Sequence, residues 1–288
     1  MPEQFPPSLD EALVRRLVEA ALDEDAARRD VTTIALVLPD QRGQGVIVAK
    51  AQGVVAGLPV AAAVFHALDS TVAFKGAVAE GARVSPGQHI AQVEGALRPI
   101  LAGERVALNF LQRLSGIATA TASLVDALGG LPTRLLDTRK TTPGLRALER
   151  YAVRVGGGHS HRFHLADGIL IKDNHLMAAR ARGLSLTQVI RQARLGAPHT
   201  LRVEVEVTSL DEAQEALAAG ADIVLMDNMN VEEMRRVVEV ARGRALTEAS
   251  GGITLENVRA VAETGVDFIS VGAITHSAPA LDMSLELS

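Results

Sequence analysis

Leu201-Arg202-Val203-Glu204-Val205-Glu206-Val207 alternates between aliphatic and charged residues without a fault. Successive side chains of a strand point to opposite faces, so the aliphatics share one face and Arg202, Glu204 and Glu206 the other. A central strand of a doubly wound parallel sheet is covered on both sides and reads apolar throughout. A barrel strand instead packs one face under helices and turns the other inward, so this stretch points to a barrel.

Working outward, the chain beyond residue 131 alternates strand and helix, the signature of parallel βα units. The strand candidates are 134–137, 168–172, 201–207, 221–227, 245–249 and 266–271, and the connecting helices 184–195, 210–219, 231–243 and 255–264. A complete eight-unit barrel needs ~250 residues, so six units imply an open, incomplete α/β barrel of six or seven strands. Nearly every strand ends in reactive side chains: Asp137-Thr138-Arg139-Lys140, Lys172-Asp173-Asn174, Glu206, Asp227-Asn228, Glu248-Ala249-Ser250-Gly251-Gly252 and Gly272. Barrel enzymes carry their chemistry at these C-terminal ends.

Upstream, Ser8-Leu9-Asp10-Glu11 reads as a capping box opening a helix with Leu9, Leu13, Leu17 and Ala21 on one face. Residues 31–95 form short β-like runs broken by glycine, and a long helix over 100–116, interrupted at Ser115-Gly116, resumes to 128. The expected division is an N-terminal α+β sandwich domain, 1–114, and the barrel, 115–275, with a C-terminal strand at 276–288 returning to the first domain.

Composition narrows the chemistry. The 288 residues carry a net charge of −5 and few aromatics, which argues against nucleic-acid binding. There is no cysteine, which removes disulfides, thiolate metal sites and cysteine nucleophiles together and suits the cytoplasm. The longest apolar run, 54–65, falls well short of the ~20 residues that cross a bilayer. Against the acidic background, 134–175 holds eight Lys/Arg and only three acids before Asp173. Arg139, Lys140, Arg162 and Lys172 stand at strand ends, beside His161, and suit a planar carboxylate or phosphate ligand. Arg146, Arg150 and Arg154, four residues apart, read as a solvated helix face. Ser250-Gly251-Gly252 before a helix is a phosphate-binding arrangement, with Gly272 a second contributor. Glu206 and Asp227, ending adjacent strands, suit Mg²⁺, a sugar hydroxyl or general-base work. His159 and His161 lack a third ligand at zinc spacing.

The stretches GERVALNFLQRLSGIATAT (103–121), LLDTRKTTPGLR (135–146), HR…LADGILIKDNH (161–175), ADIVLMDNM (221–229) and EASGGIT (248–254) resemble the quinolinate phosphoribosyltransferase family, as do RVEVEV (202–207) and SVGAITHSAPALDMSL (270–285). The resemblance implies transfer of the phosphoribosyl group of phosphoribosyl pyrophosphate to quinolinate with decarboxylation, giving nicotinate mononucleotide, CO₂ and pyrophosphate. It assigns Arg139, Arg162, Lys172, His161 and Thr138 to quinolinate, with Arg105 donated across a homodimer. Lys140 falls between the two substrates, Glu206 and Asp227 at the ribose and Mg²⁺, and Ser250, Gly251, Gly252 and Gly272 at the 5′-phosphate. Two departures adjoin these motifs: Arg28-Arg29 where a glycine-containing lead-in is usual, and His164 where glycine is common. The rival readings are a molybdate-transport-associated relative lacking quinolinate chemistry and a Schiff-base barrel lyase using Lys172.

Overall fold

The computed structural model describes residues 9–287, which form two compact units. The first takes the chain up to Ala122 together with Thr141–Gly157 and the segment from Ile274 onward; the second takes Ser123–Lys140 and Gly158–Ala273. In chain order the elements are α1 (Glu11–Glu24), α2 (Val31–Leu36), β1 (Arg42–Ala49), β2 (Gly53–Val54), α3 (Leu58–Leu68), β3 (Ala73–Gly76), β4 (Arg83–Val84), β5 (His89–Ala96) and α4 (Leu97–Leu128). Then come β6 (Arg134–Leu136), α5 (Arg146–Val155), β7 (Ile169–Ile171), α6 (Asp173–Arg180), α7 (Leu186–Gly196), β8 (Val203–Val207) and α8 (Leu210–Ala219). The chain closes with β9 (Ile223–Asp227), α9 (Val231–Ala241), β10 (Leu246–Ser250), α10 (Val258–Ala262), β11 (Phe268–Ser270), α11 (Ala273–His276) and β12 (Met283–Leu287).

In the first unit the antiparallel sheet runs β12-β1-β5-β3, so the last described strand pairs with the first. Ser8 and Ser288 lie outside the described residues. The carboxylate of Asp10 caps α1, accepting from the backbone N–H groups of Ala12 at 2.9 Å and Leu13 at 3.3 Å. The buried stripe of α1 is Val14, Val18 and Leu22, one residue beyond the expected face, whose Leu13, Leu17 and Ala21 are half-buried beside it.

Two expectations are corrected here. The Ser115-Gly116 pair does not interrupt the long helix, which runs unbroken for 32 residues. Glycine is there for closeness rather than flexibility: a Cβ at 116 would collide with the carbonyl of Pro279. Ser115 uses its hydroxyl to bond the backbone of Ala56, donating to its carbonyl at 3.2 Å and accepting from its N–H at 2.9 Å. Gly116→Ala is therefore expected to cost about 1–3 kcal/mol of stability through overpacking, measured by chemical denaturation. An unchanged midpoint would refute the contact.

The second correction concerns the arginine face of α5. Arg154 is exposed, but Arg150 is fully buried, within a continuous buried run from Leu148 to Val153. A helix enclosed on most sides buries whatever its sequence provides, and the charges must then be paired. Glu149, also fully buried, accepts from Arg113 at 2.8 Å and from the hydroxyl and N–H of Thr142 at 2.7 and 3.0 Å. That network pins the loop residues following Lys140 in the sequence.

In the second unit six parallel strands run β6-β11-β10-β9-β8-β7. The ladder ends at β6 and β7 without joining them, which makes the barrel open. On β8, Val203, Val205 and Val207 are buried and Glu204 turns inward with 5% exposure, as alternation requires. His159 forms a bridge to Leu136, and Ile169 donates its N–H to the carbonyl of Arg202. The segment 159–169 thus starts on the β6 edge and ends on the β7 edge, spanning the seam.

Candidate active site

A cavity of about 300 Å³ opens at the C-terminal ends of the barrel strands. Thr138, Arg139 and Lys140 enter it from the end of β6, His161 and Arg162 from the seam segment, and Lys172 from the end of β7. Ser250 and Glu248 reach it from β10. The sequence-expected cations are therefore convergent, because parallel strands deliver the residues at their ends to one rim. Arg105 is not in this unit; it is exposed on α4, between residues whose neighbours Val106, Ala107 and Leu108 are buried.

The electrostatics of the rim suit an anion. Burial, and next the charge of Arg139, pull the Arg162 guanidinium below its ordinary value, while Glu204 and Asp167 oppose this. Two guanidiniums held close in a partly buried site favour a ligand that neutralises them. Lys172 is paired with Glu206, Nζ to Oε2 at 2.7 Å. Asp227 accepts from the side-chain amide of Asn228 at 2.9 Å. Glu206 aligns with Leu225 on the neighbouring strand, so Glu206 and Asp227 leave adjacent strands near their ends.

The glycine loop follows β10. Gly251 and Gly252 have φ of +89° and +63°, the left-handed region open to glycine. A Cβ at 251 would also collide with the amide of Asn228, which itself takes φ +53° and donates its N–H to the carbonyl of Ser250. Ser250 and Ser270 are paired in the ladder, so the loop and Gly272 leave adjacent strands side by side. The expected helix directly after Thr254 begins later, at Val258, and has only five residues. Asn257 takes over the intervening turn, accepting from the N–H of Thr254 and donating to the carbonyl of Gly252, both at 2.8 Å. The loop therefore offers backbone N–H groups more than a helix dipole.

Two residues of the site had no assigned role in the sequence. Glu204 and Glu248, with 5% and 2% exposure, flank His161 inside the barrel, each with a carboxylate oxygen 3.5 Å from Nε2. Their signal was present, in the alternation of β8 and the glutamate before Ala249, but the partner could be known only from the strand order of the folded sheet. His159 is exposed and does not join this cluster. Burial disfavours a charge on His161, but its bonds to Glu204 and Glu248 outweigh that and raise it to about 10. The N–H of Arg162 donates to His161 Nδ1 at 2.7 Å, which requires a lone pair there. Both observations place a proton at Nε2 but they differ over Nδ1: the two carboxylates favour a second proton there, and taking one up would displace the Arg162 bond, so the arrangement seen here belongs to the neutral ring protonated at Nε2. Burial raises Glu204 in turn.

A cavity of about 390 Å³ lies behind this wall, inside the barrel, and shares His161, Arg162 and Glu248 with the mouth. A larger hollow of about 610 Å³ sits at the opposite, N-terminal ends of the strands. Its acids are occupied in tying strands together: Asp222 accepts from the N–H of Val203 at 2.8 Å, and Asp267 from that of Thr247 at 2.8 Å.

The family profile described as quinolinate phosphoribosyl transferase, N-terminal domain, matches residues 30–115, and that of the C-terminal domain matches 117–286. The chain is 45% identical over 269 residues to a probable carboxylating nicotinate-nucleotide pyrophosphorylase of Synechocystis, covering 92% of this chain and 90% of that protein. It is 42% identical to the human carboxylating nicotinate-nucleotide pyrophosphorylase, covering 94% and 90%. A crystal structure of NadC from Streptococcus pyogenes superposes with a TM-score of 0.92 at 42% identity, covering 97% of this chain and 98% of that one.

Proposed function

The chain belongs to the quinolinate phosphoribosyltransferase family, and we propose that it joins quinolinate to the ribose of phosphoribosyl pyrophosphate, releasing pyrophosphate and CO₂ and leaving nicotinate mononucleotide for NAD biosynthesis. One observation carries this reading: Arg139, Lys140, Arg162 and Lys172 converge on one cavity at the barrel mouth, beside a left-handed glycine loop. The two adjacent carboxylates of quinolinate are its charged handles, and planar guanidinium forks match them.

Arg139 and Arg162 orient the carboxylates, with Thr138 and Lys172 beside them, before any bond changes. Lys172 leaves Glu206 to meet the substrate, which frees Glu206 to face the ribose as positive charge develops there. Asp227 shares that role, and Lys140 stabilises the departing pyrophosphate. The backbone N–H groups around Ser250, Gly251, Gly252 and Gly272 take the 5′-phosphate. Once the ring nitrogen is quaternary, its positive charge stabilises the electron pair that departing CO₂ leaves on the adjacent ring carbon, and a proton from solvent then completes that carbon.

The donor set of Glu206 and Asp227 fits Mg²⁺: two half-buried, all-oxygen carboxylates leaving adjacent strands, the ligand type a hard cation takes alongside water and substrate oxygens. Bound there, Mg²⁺ would neutralise charge on the pyrophosphate. Arg105 serves the mouth of a second copy in a homodimer. Its exposure supports this, as do Val31, Ile34, Leu36 and Leu38, apolar side chains with 52–78% exposure in one short stretch. No helix among the described residues is long and apolar enough to cross a membrane, and we place the work in the cytoplasm.

The deciding experiment incubates the protein with the donor and Mg²⁺ plus either quinolinate or nicotinate. CO₂ and nicotinate mononucleotide from quinolinate alone are expected; turnover of nicotinate, or of neither acid, would refute the reading. Borohydride trapping separates the Schiff-base rival. That chemistry needs a desolvated neutral amine, whereas the Lys172 side chain is 47% exposed and ion-paired.

A further inference from the structure

His161 is expected to touch quinolinate, yet its polar atoms are engaged inside the protein. Its backbone N–H donates to Asp137 Oδ1 at 2.9 Å, at the end of β6. Its Nδ1 accepts from the N–H of Arg162 at 2.7 Å. Its Nε2 faces Glu204 on β8 and Glu248 on β10, both at 3.5 Å. One residue thus ties three strands to the segment that spans the seam.

That segment carries Arg162, whose Nη1 donates to the carbonyl of Gly168 at 2.9 Å. An open barrel offers no β6–β7 ladder to hold a loop at this point, so its fixation must come from inside. We infer that Glu204 and Glu248 are positioning residues of the dicarboxylate site, which anchor His161 from within the barrel and through it set the direction of Arg162. The inference rests on the proposed reaction at the mouth, and it makes His161 a post for Arg162 in place of a direct ligand.

The two carboxylates suit this task. Two buried glutamates on alternate strands, flanking one N–H, hold the imidazole from two directions and resist rotation of the ring. They also offset the cations at the rim, Arg139, Arg162 and Lys172, which would otherwise repel one another. A divalent ion could occupy a triad of this composition, since the three ligand atoms lie within 4.8 Å of one another. The direction of the Arg162 bond speaks against it. A ligating histidine donates its second N–H to an acceptor, whereas here Nδ1 faces a donor and the proton belongs on Nε2.

The ring nitrogens have distinct tasks. Nδ1 keeps its lone pair to hold the N–H of Arg162, and Nε2 carries the proton that faces the two carboxylates. Glu204, Glu248 and Arg162 are the groups facing the ring, and Asp137 holds its backbone.

The test uses the full-length protein in three measurements. Nitrogen-15 NMR of the histidines should show one ring with a constant Nε2 proton from pH 6.5 to 9; a ring titrating near 6.5 at position 161 would overturn the inference. Glu204→Gln and Glu248→Gln should each raise the KM for quinolinate at least tenfold while leaving the KM for the donor within twofold. In an Arg162→Ala background the same two changes should have less than a twofold effect, because the residue they position is gone. A full tenfold effect there would mean that the glutamates act by another route. Should the variants lose their fold, the wild-type NMR result still decides. Titration with Co²⁺ closes the metal alternative: an intense tetrahedral spectrum abolished by Glu248→Gln would overturn the inference, and none is expected. If the wild type fails to turn over quinolinate, the proposed function fails while the NMR result stands independently.

Discussion

Arg139→Ala is expected to lower kcat/KM for quinolinate by roughly 30- to 900-fold, the equivalent of about 2–4 kcal/mol for a buried charged hydrogen bond lost on one side. Arg139 is half-buried at the mouth, and its charge is the second cause, after burial, that pulls Arg162 below its ordinary value. A dianion between the two relieves their repulsion more directly than the neighbouring carboxylates Glu204 and Asp167 do, so removing one partner costs binding of the transition state more than it affects the empty fold. Arg139→Lys should recover little, because an ammonium cannot match a planar carboxylate with two parallel bonds. The KM for the donor should stay within a few-fold of wild type. Steady-state kinetics with quinolinate varied at saturating donor would read the effect, and a change below threefold would remove Arg139 from the site.

The second large effect is expected from subunits in combination. Arg105→Ala and Lys140→Ala should each lose at least about a hundredfold in activity alone, since each removes a cation from an anion-binding site. Mixed in equal amounts and allowed to exchange, they should recover about a quarter of wild-type activity, because half of the dimers are mixed and each holds one intact site. The arithmetic requires Arg105 to act in the partner's mouth. If it acted within its own chain, every site in the mixture would lack one residue and no activity would return. Co-expression with two affinity tags, or exchange at mild denaturant, would prepare the mixed dimers.

Much of the site was legible in the sequence, for a physical reason. The residues that end parallel strands must converge, so the cations after β6 and β7 and the glycines after β10 could be assigned to one rim from strand boundaries alone. Left-handed backbone at Gly251 and Gly252 follows from the same logic, since only glycine takes such turns freely. Less legible were features set by what lies across the core. Gly116 reads as a helix breaker until the Pro279 carbonyl is known to press against it. Arg150 reads as a surface charge at helical spacing, because periodicity reports which residues share a face but not whether that face is covered.

The alternation of 201–207 settled by itself that β8 has one aliphatic and one charged face, and hence that the sheet closes toward a barrel. It could not say what the inward Glu204 meets. Its partners, His161 and Glu248, lie 43 and 44 residues away in the chain, and only the order β10-β9-β8 in the sheet sets the two glutamates either side of one imidazole. Local pattern fixes which way a side chain points, because the pleat repeats every two residues. Tertiary structure fixes what it points at, because that depends on strand order and on a seam that no local interaction encodes.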